Sequence, residues 1–194
     1  DDLEFLKSQR VWVAASTHKG EDEIVLKAHE ALADESLLVL VPRHPDRGGD
    51  VVQMAAEMGF KTGCRSYGDK LSDGWQVYVA DTIGEMGLWY RGSSVSFIGG
   101  SLVDGIGGHN PFEPILLGSN VVVGQYVGNF NDVYRALLAE DAVLQVTDAE
   151  ALAQSVQTLW DEGKAEALRS CASDYLTAQP SVTKATRDHI LAML

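Results

Sequence analysis

Short uninterrupted apolar runs alternate with longer amphipathic ones along most of the chain. "VWVAAS" (11–16), "LLVLVP" (37–42), "KTGCRS" (61–66), "WQVYVAD" (75–81), "SVSFIGG" (94–100), "NVVVG" (120–124) and "AVLQV" (142–146) predict strands. Between them, apolar residues recur at helical spacing. In 21–33, Ile24, Leu26, Ala28, Ala31 and Leu32 fall on this pattern. Further helices are predicted over 50–60, 83–91, 111–118 and 130–140, and the chain reads as helical from Asp148 onward. Gly59 supplies a stop for the second helix and Pro42 ends the second strand.

Strands that are apolar on both faces, each followed by an amphipathic helix, imply a parallel sheet covered on both sides. The expected fold is therefore α/β: one doubly wound, Rossmann-like domain over 1–194 with a helical C-terminal tail. No internal repeat, low-complexity segment or Pro/Ser-rich linker divides it.

Open parallel sheets bind ligands beyond the carboxyl ends of their strands. That rule selects four polar exits: "STHKG" (16–20), "PRHPDR" (42–47), "DTIGEMG" (81–87) and "GGSLVDGIGGHNPFEP" (99–114). In the second, Arg43, His44 and Arg47 cluster within an otherwise acidic chain. Guanidinium forks suit phosphate or carboxylate, although arginines in a turn also pair with nearby acids. In the third, Asp81 or Thr82 is placed to cap a helix starting near Gly84, with Glu85 in its first turn and free amides able to meet an anion or a base edge. In the fourth, Gly99 and Gly100 end a strand and permit close approach, and Gly105, Gly107 and Gly108 precede a helix. Asn110 reads as its N-cap, Pro111 as its first residue and Glu113 as its third. Glu113 has two open roles: closing a capping box with Asn110, or accepting from the vicinal hydroxyls of a ribose. In the first exit, Ser16 or Thr17 is expected to cap the helix opened by Glu21, Asp22 and Glu23; with His18 they also border the cleft.

Charge narrows the partners. Fifteen Lys and Arg against 28 Asp and Glu give a formal charge of −13, which argues against nucleic acid but leaves room for a small anion in a local basic pocket. Cys64 and Cys171 lie far apart, form no metal-type pair and fit a reducing compartment, Cys64 as a buried thiol. No apolar run reaches the ~20 residues of a membrane helix, and the charged start carries no signal peptide. The missing initiator Met suggests a fragment or processed chain. No G-x-G-x-x-G follows the first strand, and Walker, G-x-S-x-G and Asp-x-Asp motifs are absent, so neither a dinucleotide nor a metal-clamped diphosphate is expected. A ligand with one phosphate needs no metal when arginine and a helix start carry its charge.

Four blocks, "ASTHKGEDE" (15–23), "LVPRHPDR" (40–47), "ADTIGEMGLWY" (80–90) and "FIGGSLVDGIGGHNPFEP" (97–114), resemble in order and spacing the 3-deoxy-D-manno-octulosonic acid (Kdo) transferases; "VVVGQYVGNFNDV" (121–133) resembles their next block. The resemblance runs from about Arg10 to the C-terminus and covers the C-terminal half of a GT-B glycosyltransferase. It implies binding of the donor CMP-Kdo, with no further cofactor and no metal. Transfer to a lipid A precursor in lipopolysaccharide biosynthesis, at the cytoplasmic face of the bacterial inner membrane, would need an N-terminal half that holds the acceptor, the general base and the membrane contact. This chain alone would be soluble and inactive. Carried over by position, the resemblance implies nucleotide contacts at Pro42 and Arg43, at Ile83, Gly84 and Glu85, and at Asn110, Pro111, Phe112 and Glu113, with Arg43 at the departing phosphate. Two departures stand out: the 101–109 loop is one residue longer than the usual form, and Lys19 occupies a position that is commonly acidic. Two other classes compete with this reading: a GT-B nucleotide-sugar epimerase or hydrolase, and a non-catalytic binding module.

Overall fold

In a computed structural model describing residues 2–178, seven parallel strands form one sheet in the order β3-β4-β2-β1-β5-β6-β7. The strands are β1 Val11–Thr17, β2 Leu37–Pro42, β3 Thr62–Cys64, β4 Val77–Val79, β5 Val95–Ile98, β6 Asn120–Val123 and β7 Leu144–Gln145. The helices are α1 Asp2–Ser8, α2 Glu21–Glu30, α3 Gly48–Glu57, α4 Met86–Gly92, α5 Phe112–Leu116, α6 Asn131–Ala139, α7 Ala149–Thr158 and α8 Glu162–Ala178. This is the doubly wound α/β fold with helices following the last strand. The predicted stretch 179–194 lies outside the described residues.

Side chains that alternate along each strand divide the core into two layers. Trp12, Ala14, Leu38, Leu40, Val95 and Phe97 join Val25, Leu26 and Val156 on one face. Val11, Val13, Val39, Tyr78, Val121 and Val123 join Leu6, Trp89 and Leu137 on the other. Because both faces are covered, β1, β2 and β5 are buried almost without interruption, and that burial accounts for their continuous apolar runs.

Several elements depart from the pattern-based expectation. The charged N-terminus forms α1, which the sequence did not suggest; a single buried residue, Leu6, anchors it against α4 at Gly92. The helix expected over 83–91 starts only at Met86, because Gly84 adopts φ +92° and breaks the turn before it. The helical tail is interrupted between α7 and α8. The strands expected over 61–66 and 75–81 keep only three paired residues each.

From β1 the chain moves out to β2 and the edge strand β3, returns to place β4 between them, then crosses to β5 on the opposite side of β1. The strand order therefore reverses between β1 and β5. Ligands in such sheets lie outside the carboxyl ends at that point, where the two flanking connections diverge.

Candidate functional site

One buried acid organises the switch point. Glu21, wholly buried at the start of α2, accepts amide hydrogen bonds from Gly100 (2.6 Å), Ser101 (2.8 Å), Leu102 (2.8 Å) and His18 (2.9 Å). A carboxylate with two oxygens can accept all four, and charge-assisted bonds are the stronger kind. The loop after β5 is thus fastened across the end of β1. Its glycines are required by crowding as well as by torsion: a Cβ at Gly99 would meet the Ser16 carbonyl, and one at Gly124, at the end of β6, would overlap Ser101 backbone.

The exit of β1 differs from the capping role expected for Ser16 and Thr17. The N-cap of α2 is Gly20 at φ +93°, with no side-chain cap. Ser16 sits at φ +57° where the β1–β2 register slips, and Thr17 completes the strand with its hydroxyl buried and unpartnered. A non-glycine residue in left-handed conformation at a strand end is the kind of local strain that concentrates at ligand sites.

The two arginines after β2 separate in role. Arg47 pairs with the buried carboxylate of Asp22 and donates to the Thr17 carbonyl at 3.1 Å. It is a structural tie, not a free anion receptor. Arg43 is exposed beyond the buried Pro42. Every other arginine among the described residues donates to a carboxylate or a carbonyl, whereas the Arg43 guanidinium has no hydrogen-bond or ion-pair partner among them. Its charge reaches His18 and His109, helping to hold both imidazoles below their usual pKa, although burial is the larger cause for each. Those rings lie nearly parallel, centroids 5.1 Å apart, and meet through Nε2 atoms 2.8 Å apart; His44 meets His18 edge-on at 5.9 Å. Tyr134 fixes the far side by donating to the His109 carbonyl at 2.8 Å.

Beyond β4, neither Asp81 nor Thr82 caps α4. Asp81 accepts from the Ser66 amide (2.9 Å) and hydroxyl (2.6 Å), tying down the turn after β3. Glu85 occupies the N-cap position, and its carboxylate is engaged by Arg65 at 2.6 Å and by the Thr82 hydroxyl. The Arg65 guanidinium holds the Glu85 carboxyl below its usual range. The backbone of Ile83 and Gly84 is left uncommitted: neither amide has a partner among the described residues, the Ile83 side chain is 86% exposed, and the space beside Gly84 is open.

The helix after the glycine loop is shorter than expected. α5 has five residues, and the cap position falls on Pro111, not Asn110. Asn110 Oδ1 accepts the Phe112 amide at 2.9 Å, and Pro111 and Pro114 have no N–H to offer. Glu113 is then the only one of the four from Pro111 to Pro114 with an uncommitted amide. A one-turn helix also has little macrodipole. This tip therefore offers little to a phosphate. The capping box does not form either: the Glu113 carboxylate makes no hydrogen bond to a described residue, is half-buried, and has its pKa raised by that burial, with Arg91 opposing.

Arg43, His18 and His109 come together at the exits of β2, β1 and β5. Ile83 and Gly84 precede α4, whereas Glu113 on α5 lies near Tyr90 and Arg91 at the far end of that helix. At most about 14 Å of chain separates His109 from Glu113. Sequence reasoning missed His109 and the anchoring role of Glu21, although both lie within the quoted motifs. Among the described residues, no cluster of three or more His, Cys, Asp or Glu is placed to hold a metal ion.

Comparison with known proteins bears on the family. The fold superposes with a TM-score of 0.82 on the C-terminal CMP-Kdo binding domain of WaaA from Acinetobacter baumannii, at 33% identity, covering 89% of this chain and 91% of that one. The chain belongs to the Kdo transferase family. It is also 42% identical over 153 residues to the 3-deoxy-D-manno-octulosonic acid transferase of Haemophilus influenzae, covering 77% of this chain but only 36% of that protein. The chain therefore spans about a third of such a Kdo transferase, and it matches the C-terminal domain. The spinosyn rhamnosyltransferase SpnG shares the fold (TM-score 0.54, 20% identity) over 44% of its length, as expected for one half of a GT-B glycosyltransferase. No protein-family model matches the chain.

Proposed function

We propose that this chain is the donor-binding half of a Kdo transferase and takes CMP-Kdo at the β1–β5 switch point. The observation that carries the reading is Arg43, the one unpartnered guanidinium among the described residues, standing at that point in a chain of formal charge −13. Arg43 receives the phosphate, with Pro42 fixing the turn that presents it. The free backbone of Ile83 and Gly84 receives the cytosine edge, and exposed Ile83 gives the base an apolar surface. The unpaired Glu113 carboxylate accepts from the ribose diol. Glu85 acts here by bonding Thr82 and Arg65, and so shapes the base-binding turn without touching the base. Asn110, Pro111 and Phe112 set the backbone that carries Glu113.

In the full enzyme, the bond from the sugar's anomeric carbon to the phosphate oxygen breaks as CMP departs, and positive charge near that oxygen stabilises the leaving group. The acceptor, a lipid A precursor, and the base that takes its hydroxyl proton belong to the other half, which would act at the cytoplasmic face of the inner membrane. No described helix is long and apolar enough to cross a membrane.

Titration calorimetry with CMP at up to millimolar concentration tests the reading. CMP should bind, UMP should bind more weakly, and Arg43→Ala and Glu113→Gln should each reduce CMP affinity. Equal affinity for UMP and CMP, or none for either, would overturn it.

A further inference from the structure

His18 and His109 come from different loops, 91 residues apart, yet their Nε2 atoms meet at 2.8 Å. At that separation one proton lies between the two nitrogens. One ring is therefore the Nε2–H tautomer with a bare Nδ1, and its partner is the Nδ1–H tautomer with a bare Nε2. Adding one proton to the pair keeps this bond and leaves an N–H on both Nδ1 atoms. A second proton would set two N–H groups against each other. The pair can thus hold one positive charge and no more.

Its surroundings keep that charge off while the site is free. His18 faces Arg43 and His44 from the β2 exit, Arg47 from the following turn, and Glu21 from α2; His109 faces His18, Arg43 and Glu21. Burial and the cationic neighbours outweigh Glu21 at both rings. An anion arriving beside Arg43 reverses the balance, because it supplies the missing countercharge at the place where the arginine repels. The need is real, since the α5 tip offers almost no free amide for a phosphate.

Building on the donor-site reading, we propose that the His18–His109 pair takes up one proton when the CMP phosphate binds and serves, with Arg43, as its receptor. As the anomeric C–O bond breaks, its electron pair stays on the phosphate oxygen, and the phosphate passes from diester monoanion to monoester dianion. The proton remains on the imidazole pair and is hydrogen-bonded to that new charge. The acceptor's hydroxyl oxygen forms the new bond to the anomeric carbon, and its proton leaves by the separate base. The pair therefore prefers the product-like phosphate over the intact diester, which is the differential binding that accelerates a step.

Calorimetry of CMP at pH 7.5–8, in buffers of different ionisation enthalpy, reads the proton directly; free CMP is dianionic there, its second ionisation lying near pH 6. The wild-type chain should take up a fraction of a proton approaching one, and affinity should fall as pH rises. His109→Gln and His18→Gln should abolish the uptake and weaken CMP about tenfold while leaving cytidine unaffected. Arg43→Ala should weaken CMP but retain the uptake. Long-range nitrogen–proton NMR of the unmodified chain needs no variant to fold: it should show complementary tautomers without ligand and protonated Nδ1 on both rings with CMP. CMP binding without proton uptake, or two rings of the same tautomer, overturns this inference and leaves the donor-site reading standing. Absence of CMP binding overturns both.

Discussion

Arg47 is committed to the buried carboxylate of Asp22, and this pairing separates it from Arg43, four residues earlier, which is free. Two arginines that look alike in "PRHPDR" are therefore expected to respond oppositely to truncation. Arg47→Ala leaves Asp22 buried and unpaired, a loss of about 3 kcal/mol or more. Arg43→Ala removes an exposed side chain and should leave the urea midpoint unchanged while lowering CMP affinity. Paired denaturation and calorimetry on the two variants check this. A destabilised Arg43→Ala, or a stable Arg47→Ala that loses CMP, would reverse the assignment.

Glu21 holds three consecutive loop amides and that of His18. Glu21→Gln exchanges one acceptor oxygen for an NH2 that faces donors, so at least one buried amide is left unsatisfied at a cost of about 2 kcal/mol. Hydrogen exchange is the sharper readout. The amides of Gly100, Ser101 and Leu102 should lose protection while those of β1 and β2 keep it. Unchanged protection in the loop would mean that something else fastens it.

Glycine substitutions should separate crowding from torsion. At Gly124 a Cβ would overlap Ser101 backbone, which cannot yield without moving the loop, so Gly124→Ala should be among the most destabilising single changes. Gly84 has open space beside it and only its φ of +92° to satisfy, so Gly84→Ala should cost about 1 kcal/mol by thermal melt. Because Gly84 carries the amide assigned to the base, that variant should still lose CMP affinity.

The sequence pattern identified the strands because β1, β2 and β5 are buried on both faces, so apolar residues run without interruption. It could not reveal α1, where one buried leucine in seven residues carries too little periodicity. The four strand exits were legible for a related reason: topology alone gathers them at one edge. What those exits do depended on pairings across long stretches of sequence. Nothing local distinguishes Arg47 from Arg43, or marks Glu21 among three consecutive acids, since the deciding partners lie 25 and about 80 residues away. Whether Glu113 closes a capping box was likewise undecided by its spacing from Asn110; the geometry decides it, since the carboxylate lacks the bond back.

Glu113 can be tested through the ligand. If its carboxylate accepts from both ribose hydroxyls, 2′-deoxy-CMP should bind roughly tenfold more weakly than CMP, and Glu113→Gln should narrow the difference. Burial raises the Glu113 pKa, so the accepting form is lost earlier on acidification than for an exposed glutamate. The CMP preference should fade as pH drops toward that raised value. A constant ratio of CMP to 2′-deoxy-CMP affinity in wild type and variant would remove Glu113 from the ribose.

His29 makes a prediction about stability. It is wholly buried, its Nδ1 accepts from Trp12 Nε1 at 3.1 Å, and its Nε2–H donates to the Gln76 carbonyl at 2.8 Å. Burial holds its pKa down at about 4, against 6.5 in an unfolded chain. Between those values the unfolded state binds the extra proton, so folding stability rises with pH and is lost as pH falls from 6.5 toward 4. The full span is worth up to about 3 kcal/mol. Carboxylates titrate near the lower end, so the informative quantity is the difference between the wild type and His29→Gln. That variant should be less stable at pH 7, and its urea midpoint should vary less than the wild type's from pH 7 to 5. Parallel curves for the two proteins would show that His29 does not set the acid limb.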